Sequence, residues 1–420
     1  MVIRVRKNTL TILLTTLCVA LSTTVGQAED AEWTQFRGPN ATGLASAPSI
    51  PTKITPDDYL WQVDLPGVGH SSPVYWDGRL FLTSETTGQT TRQVLCFDAT
   101  DGKQIWARGE TYPPDRSYHK FNSYAASTPA VDKNGVYVSW ISGQSFILFA
   151  LRHNGQPMWR REIPCGFASK FGPGASPIVL DGTVIMGNDH AGSECFLIAV
   201  DAETGETVWE VPRKTGLASY CTPKVYRPLN GPTQVIFASQ AHGVTSVDPR
   251  SGKVLWEVPC DFTYKTCATP VIADDIVFVT AGRGSAGVET VALRLPNVTQ
   301  GEEPEIVYRS RSRLPYVPTP LAYDGKFLLW NDAGIVTCIE AASGSELWQG
   351  RVPGKYFASP IMIDDHIYNA TLGGELIVIA TDHFEILAET ELPEGTHATP
   401  AVVDDRMYLR TYEKLICIGK

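Results

Sequence analysis

Histidine, lysine and tyrosine residues recur in the short segments that lead into a repeated Ser/Thr-Pro dipeptide. We predict that these side chains share one face of the folded chain: His70, His119, Lys120, Tyr124, Lys170, Tyr220, Tyr264, Lys265, Tyr316, Lys355, Tyr356 and His397. A second set follows at later turns that would reach the same face: Asp189, His190, His242, Arg283, Asn331 and Asp332. Loops that only connect strands need mainly Gly, Pro, Asn and Asp. Cationic and aromatic side chains instead suit an anionic group, a sugar or the acidic segment of a partner. The alternative interpretation is a rim of solvated polar loops that binds nothing.

Other residue patterns that could support chemistry are weak. His190, His242 and Asp189 carry donor atoms that a metal ion accepts, but their spacing lacks a compact ligand motif. The stretch "GRGSAG" beginning at Gly282 lies between two predicted strands and not ahead of a helix, which favours a turn over a phosphate loop. Acidic pairs recur at equivalent turns, which favours a structural role: they begin at Asp274, Asp364 and Asp404. We therefore assign no catalytic residue and no metal site from the sequence.

Composition places the chain among globular proteins. Of its 420 residues, 43% are apolar and 19% are charged, which is enough apolar material for a large core. The formal net charge of −10 argues against nonspecific binding to nucleic acid. Cys96, Cys338 and Cys417 occupy the same position of the repeat, as small core residues on equivalent strands would. Only Cys260 and Cys267 are near enough in sequence to suggest a local disulfide.

The Ser/Thr-Pro dipeptide marks an internal repeat. It opens eight units, with prolines at Pro73, Pro129, Pro177, Pro223, Pro270, Pro320, Pro360 and Pro400. Successive prolines are 40 to 56 residues apart, a period typical of propellers and solenoids. One unit contains four short runs rich in β-formers, "SPIVLDG", "TVIMGN", "CFLIAVDAETG" and "ETVWEV". The pattern predicts an all-β chain that forms an eight-bladed β-propeller of four-stranded antiparallel blades.

A second motif, as in "VDAETGETVWEV", closes most units with a turn glycine and a tryptophan. A four-stranded sheet cannot bury both faces alone, so a large aromatic side chain from each blade is expected to fill the gap to the next. The residues in this role are Trp106, Trp159, Trp209, Trp256 and Trp348. The fifth and seventh units have "EIVYRS" and "EILAET" instead, so their interfaces should be weaker or packed differently.

The N-terminal residues divide into three parts. Arg4, Arg6 and Lys7 precede an apolar run too short to span a bilayer, which predicts a signal peptide over 1–28. A leader segment over 29–58, containing "WTQFRGPNATG", should lie across the surface of the ring. The propeller should occupy 59–420. Because the last unit ends one strand short, the run "YLWQVDL" is expected to complete blade eight from the other end of the chain.

The D-x-x-[ST]-G-x-x-x-W motif, with Ser/Thr-Pro opening each unit, resembles the pyrroloquinoline quinone (PQQ) repeat family of eight-bladed β-propellers, and the leader is similar to that of BamB-like exported bacterial proteins in it. The resemblance implies one of two activities. One group comprises non-enzymatic propellers, such as outer-membrane assembly factors. The other comprises quinoprotein dehydrogenases, which bind PQQ with calcium. Alcohol-oxidising members place two adjacent cysteines over the quinone, and this sequence has no Cys-Cys pair and no C-x-x-C-H haem motif.

The sequence therefore favours an exported, non-enzymatic propeller, in the periplasm or secreted, that serves as a binding or assembly platform in a bacterial envelope. Its expected partner is an envelope protein or a small anionic or sugar ligand. We expect a monomer without a transmembrane segment and without a cofactor. The alternative is a PQQ-dependent dehydrogenase that binds PQQ with calcium.

Overall fold

The eight repeat units fold as the eight blades of a β-propeller. A computed structural model describes residue 1 and residues 32–86, 91–112, 119–166, 172–191 and 194–420. The predicted signal peptide, apart from Met1, lies outside these residues. Residues Glu32–Lys420 form one compact unit. Among the described residues, no helix is both long enough and apolar enough to cross a membrane.

Each blade is built on an antiparallel sheet, and in blades one to seven its four strands follow one another in chain order. Two strands precede the first complete blade: β1 (Leu44–Ala45) and β2 (Tyr59–Asp64). Blade one consists of β3 (Val74–Trp76), β4 (Arg79–Glu85), β5 (Thr91–Asp98) and β6 (Gln104–Thr111), and blade two of β7 (Ala130–Val131), β8 (Val136–Ser142), β9 (Ser145–Leu151) and β10 (Pro157–Pro164). Blade three consists of β11 (Ile178–Leu180), β12 (Thr183–Asn188), β13 (Cys195–Asp201) and β14 (Thr207–Arg213), and blade four of β15 (Lys224–Tyr226), β16 (Gln234–Ser239), β17 (Gly243–Val247) and β18 (Val254–Val258).

The second half of the ring repeats this order. A short strand, β19 (Lys265–Thr266), precedes blade five and pairs with β21. Blade five consists of β20 (Val271–Ala273), β21 (Ile276–Gly282), β22 (Gly287–Arg294) and β23 (Glu305–Ser310), and blade six of β24 (Leu321–Tyr323), β25 (Lys326–Trp330), β26 (Ile335–Glu340) and β27 (Glu346–Arg351). Blade seven consists of β28 (Ile361–Ile363), β29 (His366–Ala370), β30 (Glu375–Ala380) and β31 (Ile386–Glu391), and blade eight begins with β32 (Ala401–Val403), β33 (Arg406–Arg410) and β34 (Lys414–Gly419). Three 3₁₀ turns complete the described elements: Pro39–Ala41, Pro56–Asp58 and Val298–Gln300.

The ring closes by pairing the two ends of the chain. Strand β2 pairs antiparallel with β34, with Gln62 opposite Ile416, and so becomes the fourth strand of blade eight. The first strands of neighbouring blades contact one another, β3 with β7 and with β32, so the first strands surround the central channel. Ring closure pairs the seam strands and leaves no long open sheet edge there.

Each turn glycine of the tryptophan motif accommodates the aromatic ring of the preceding blade. A Cβ added to Gly252 would lie 2.7 Å from the ring of Trp209, and the φ of Gly252 is +70°. The indole N–H of Trp209 donates to the carbonyl of Pro249 in the same turn, at 2.8 Å. Only glycine combines this backbone conformation with this close approach. Equivalent glycine contacts are made by Trp61, Trp106 and Trp159.

The other blade interfaces are packed differently. Trp256 lies in a cluster with residues of blade five, but its N–H donates to Gln234 of its own blade. Tyr308 of blade five takes the place of tryptophan against Gly344, and its hydroxyl is buried without a hydrogen-bond partner. Trp348 meets the ring of Phe384 in blade seven, with centroids 6.3 Å apart.

The acidic turn pairs and the cysteines have structural surroundings. Asp274, Asp364 and Asp404 have φ between 50° and 52°, the left-handed conformation of tight hairpin turns. The local disulfide that proximity in sequence suggested between Cys260 and Cys267 is not formed, because both residues are free cysteines. Cys260 is buried at the end of blade four and its thiol donates to the carbonyl of Val258, whereas Cys267 lies on the central channel.

The leader is more deeply placed than the sequence suggests. Trp33 and Arg37 are only 1% and 0% exposed, so this part of the leader does not lie on the surface. Strand β1 runs parallel to β28 in blade seven, and Ala47 donates its backbone N–H to the carboxylate of Asp364. First strands of a propeller leave one edge unpaired toward the channel. The leader satisfies part of that edge, which explains its burial.

Candidate functional site

The Ser/Thr-Pro repeat builds the inner lining of the channel. The Ser and Thr residues of all eight dipeptides line one cavity: Ser72, Thr128, Ser176, Thr222, Thr269, Thr319, Ser359 and Thr399. We call them the hydroxyl ring. Six of them are joined to the next by a bond from a backbone N–H to the neighbouring hydroxyl oxygen, at 2.9–3.1 Å. The repeated dipeptide therefore links neighbouring blades at the channel as well as marking each strand.

The hydroxyl ring is open at blade four. Among the described residues, no equivalent bond joins Ser176 to Thr222 or Thr222 to Thr269. Blade four also carries Lys224 where the other blades have a small or apolar residue after the proline. The hydroxyls of Thr222 and Thr269 therefore remain available to a molecule in the cavity.

The cavity above the hydroxyl ring is large enough for a drug-sized ligand or a peptide side chain. Its volume is about 610 Å³, within the usual range for ligand pockets. Among the described residues that line it, two are formally cationic, Lys265 and Arg283, and none is Asp or Glu. The cavity thus differs in charge from the chain as a whole, whose formal net charge is −10.

One side of the cavity is aromatic. The imidazoles of His70 and His397 are stacked with centroids 4.0 Å apart, and the ring of Phe357 meets His397 edge-on at 5.0 Å. Burial lowers the pKa of His397 to about 4. Burial, followed by the nearby His397 and Arg410, lowers the pKa of His70 well below its ordinary value. Both histidines are neutral at pH 7, and Nδ1 of His70 is buried without a hydrogen-bond partner.

The opposite side, in blades four to six, is basic. The guanidinium of Arg283 lies 4.5 Å from the ring centroid of Tyr264, a cation–π contact that orients it. Lys265 is the neighbouring residue, and Tyr220 and Tyr316 complete this side. We call these five residues the basic side.

Carboxylates near the basic side are turned toward the loop backbone. Asp332 accepts the backbone N–H of Tyr316 at 2.8 Å, and Glu289 accepts those of Thr263 and Tyr264. Burial raises the pKa of Asp332 to about 6. These acids hold the loops that present the tyrosines, while the cavity itself stays free of described acidic side chains.

Eight of the site residues predicted from the sequence line the cavity: His70, His119, Tyr220, Tyr264, Lys265, Arg283, Tyr316 and His397. Others lie elsewhere. Lys120 is exposed and lies 4.9 Å from the ring centroid of Phe121. Tyr124 is buried under the guanidinium of Arg92, and Tyr356 is buried against Trp330.

Two lysines of that set remain. Lys355 is exposed and does not line the cavity. Lys170 lies outside the described residues.

The metal candidates have other contacts. Asp189 is buried, and its carboxylate pairs with the guanidinium of Arg213 at 3.3 Å. His242 pairs with Glu257 through Nδ1 at 3.1 Å, while His190 is buried nearby. Across the part of the chain that the structure describes, no group of three or more His, Cys, Asp and Glu is arranged to hold a metal ion.

Several lining residues were not identified from the sequence. The hydroxyl ring has a clear signal, the repeated Ser/Thr-Pro dipeptide, but the dipeptide by itself predicts only where each repeat unit begins. Phe121 and Phe357 lie in the same loops as predicted residues. Phe36 of the leader also lines the cavity, and no local pattern places it there.

Fold and site together define a propeller with a ligand-sized central cavity. A family model described as outer membrane protein assembly factor BamB matches residues 116–349 and 332–418. The matched ranges cover more than half of the chain, so this protein belongs to that family.

Curated relatives are enzymes that share part of the ring. The chain is 27% identical over 157 residues to quinohemoprotein alcohol dehydrogenase ADH-IIG of Pseudomonas putida, covering 36% of this chain and 20% of that protein. It is 25% identical over 217 residues to 1-butanol dehydrogenase (cytochrome c) of Thauera butanivorans, covering 49% and 30%. The matches span less than a third of the length of either relative.

Solved structures of both kinds have a similar fold. BamB from Moraxella catarrhalis superposes with a TM-score of 0.58 at 14% identity, covering 86% of this chain and 96% of that one. Quinohemoprotein alcohol dehydrogenase from Comamonas testosteroni superposes with a TM-score of 0.65 at 14% identity, covering 92% and 80%. At such low identity these similarities show the eight-bladed fold alone.

Proposed function

We propose that this protein is a non-enzymatic binding propeller of the bacterial envelope, and that its central cavity receives the anionic group of a ligand or of a partner protein. The observation that carries the proposal is the lining of the cavity. Lys265 and Arg283 face a space of about 610 Å³ whose described lining residues include no carboxylate. The family match to an outer-membrane assembly factor supports a binding role, and the charged and apolar N-terminal residues support export.

Electrostatics favours an anion at this position. A concave site with low-dielectric walls focuses the field of its charges, so two cations there attract an anion despite the negative net charge of the chain. The open hydroxyls of Thr222 and Thr269 add donors on the same side. The neutral stacked histidines opposite them provide a flat, weakly polar surface for the rest of the ligand.

A PQQ-dependent dehydrogenase is the second candidate, because a curated relative and a structural neighbour are quinohemoprotein alcohol dehydrogenases. Calcium requires a cluster of oxygen ligands, usually with carboxylates among them. The described lining residues offer hydroxyls and no carboxylate, and the sequence has no Cys-Cys pair. The residues present therefore do not fit PQQ held with calcium.

The binding proposal is tested with a pair of probes of the same shape. We expect 2-naphthoate to bind saturably in a calorimetric titration, and neutral 2-naphthalenemethanol to bind at least about tenfold more weakly. Lys265→Gln with Arg283→Gln should remove the preference for the anion. Lys103→Gln with Lys253→Gln makes the same charge change in exposed turns away from the cavity and should leave it unchanged.

Two results would count against the binding proposal. One is equal affinity for the two probes in the unmodified protein. The other is a saturable rise in melting temperature that requires PQQ and calcium together, since a ligand that binds only the native state must stabilise it. The second result would favour the dehydrogenase.

A further inference from the structure

The leader binds the first strands just beyond the residues that line the cavity. The carbonyl of Trp33 accepts the backbone N–H of Tyr75 at 2.9 Å, and that of Thr34 accepts the N–H of Val131 at 2.8 Å. Tyr75 and Val131 each lie three residues after a member of the hydroxyl ring. The leader therefore crosses the channel along the first strands, within three residues of members of the hydroxyl ring.

Phe36 and Arg37 lie at the centre of this crossing. Phe36 lines the cavity, and it is the leader residue that does so among those described. The guanidinium of Arg37 donates to the carbonyls of Pro320 and Pro360, at 2.9 and 3.0 Å. Both prolines directly follow members of the hydroxyl ring. The leader is therefore anchored to the underside of the cavity, with one aromatic ring exposed to it.

The backbone around Arg37 is held in an uncommon conformation. Arg37, Asn40 and Ala41 have φ of 62°, 48° and 51°, the left-handed region that non-glycine residues seldom adopt. Such conformations persist where the surrounding structure fixes them. Here the side-chain amide of Asn40 donates to the carbonyl of Val225 at 3.1 Å, and the ammonium of Lys224 donates to the carbonyl of Asn40. The leader is thus a fixed part of the channel.

Two buried basic side chains, Arg37 and Lys224, lie at this part of the leader: Arg37 follows Phe36 in the chain, and Lys224 bonds the carbonyl of Asn40. Neither Arg37 nor Lys224 has a carboxylate within ion-pair distance among the described residues, and they are 0% and 4% exposed. Burial lowers the pKa of Arg37 to about 9; burial and then Arg37 lower that of Lys224 to about 7. At pH 7 Arg37 therefore stays protonated and Lys224 is about half protonated, and positive charge in so poorly solvated a place raises the potential at this end of the cavity.

We propose that Phe36 forms the floor of the binding cavity and contacts the bound ligand, while Arg37 and Lys224 make that floor attractive to an organic anion. The leader then limits how far a ligand enters the channel. This inference rests on the proposed use of the cavity for binding, but its test requires no natural ligand. Failure of the floor assignment is therefore distinguishable from failure of the proposed function.

The test measures the reactivity of a cysteine placed at the floor. Phe36→Cys is made with Cys18→Ser and Cys267→Ser, because Cys18 lies outside the described residues and Cys267 lines the cavity. The reagents are anionic 2-sulfonatoethyl and cationic 2-trimethylammonioethyl methanethiosulfonate. We expect the floor cysteine to react with both, and to favour the anionic reagent by about fivefold or more relative to Leu229→Cys, an exposed loop position.

Two controls make the outcome decisive. Gln35→Cys, at a neighbouring position that is only 7% exposed and does not line the cavity, should react far more slowly. Equal rates for Phe36→Cys and Gln35→Cys would overturn the floor assignment. A preference for the anionic reagent no greater than at Leu229→Cys would overturn the electrostatic part.

A measurement on the unmodified chain covers the case in which Phe36→Cys does not fold. Hydroxyl-radical oxidation read by mass spectrometry should modify Phe36 and spare Trp33, although tryptophan is intrinsically the more reactive side chain, because Trp33 is 1% exposed. Protection of Phe36 equal to that of Trp33 would refute the proposal.

Discussion

The stacked histidines show how single residues set the character of the cavity. His70 and His397 lie 4.0 Å apart, close to the guanidinium of Arg410, which is itself buried. A second positive charge there would face both burial and repulsion. The pair therefore stays neutral and adds no positive charge to the cavity, whose cationic lining residues among those described are Lys265 and Arg283 on the other side.

This arrangement predicts a loss of stability in acid. Because the pKa of His397 is about 4 in the folded chain and near 6.5 when unfolded, the unfolded chain binds more protons in that interval. Stability should be full above pH 6.5 and fall as the pH drops toward 4, by on the order of 2–3 kcal/mol from this residue. His397→Phe keeps a flat ring in the stack, so its melting temperature should fall less over the same range. If the melting temperatures of the unmodified protein and His397→Phe fell equally between pH 6.5 and 4, the lowered pKa assigned to His397 would be contradicted.

At the scale of elements, the blade interfaces depend on a paired aromatic ring and glycine. Tyr308 fills this place in blade five, but its hydroxyl is buried without a partner, whereas Trp209 donates its N–H to Pro249. A buried hydroxyl that has lost its bonds to water costs free energy. The fifth blade therefore retains the packing of the motif and lacks its hydrogen bond.

Tyr308→Phe should accordingly raise the free energy of unfolding by about 1 kcal/mol, because it removes the unpaired hydroxyl and keeps the ring. Tyr323→Phe is the matched control: that hydroxyl is also buried but donates to the carbonyl of Thr381 at 3.0 Å. Its removal should cost about 1 kcal/mol. Urea unfolding of the two variants gives both values. Destabilisation by Tyr308→Phe would show that the hydroxyl has a partner after all.

The sequence predicts most of the strands and blade interfaces, but little of where the leader lies. Blade number, strand order and most of the tryptophan interfaces follow from local periodic motifs, because blades one to seven are each built from one continuous repeat. The positions of Phe36 and Arg37 depend on the bonds from Arg37 to Pro320 and Pro360, which lie 283 and 323 residues further along the chain. No local pattern encodes such pairings. Conversely, Cys260 and Cys267 are close in sequence and remain free cysteines, since closeness in sequence does not by itself bring two side chains together.

At the scale of the whole molecule, two parts of the chain tie the ring together. Strand β2 closes blade eight against β34, and the leader reaches blades one, two, four, six and seven from within the channel. The stability of such a ring against opening depends on its seam, the pairing of β2 with β34. The seam is noncovalent, and the residues of blade eight come from the two ends of the fold.

A comparison of equivalent tryptophans tests the seam. Trp61 of β2 packs on Gly102 and donates to the carbonyl of Ala99 at 3.1 Å, and Trp106 makes the same contacts with Gly155 and His153 one interface further on. Both are partly buried, so either change to alanine should lower the free energy of unfolding by about 3 kcal/mol through the cavity left behind.

The two variants should differ in where they open. In Trp61→Ala, hydrogen exchange should quicken across β32, β33 and β34, because blade eight can detach from β2 without breaking the continuous chain of blades two to seven. In Trp106→Ala, the flanking strands are held by neighbours on both sides, so exchange should rise only near the substitution. Mass-spectrometric exchange on both proteins at matched stability makes the comparison. Equally local exchange in the two variants would mean that the leader, and not the pairing of β2 with β34, keeps the ring closed.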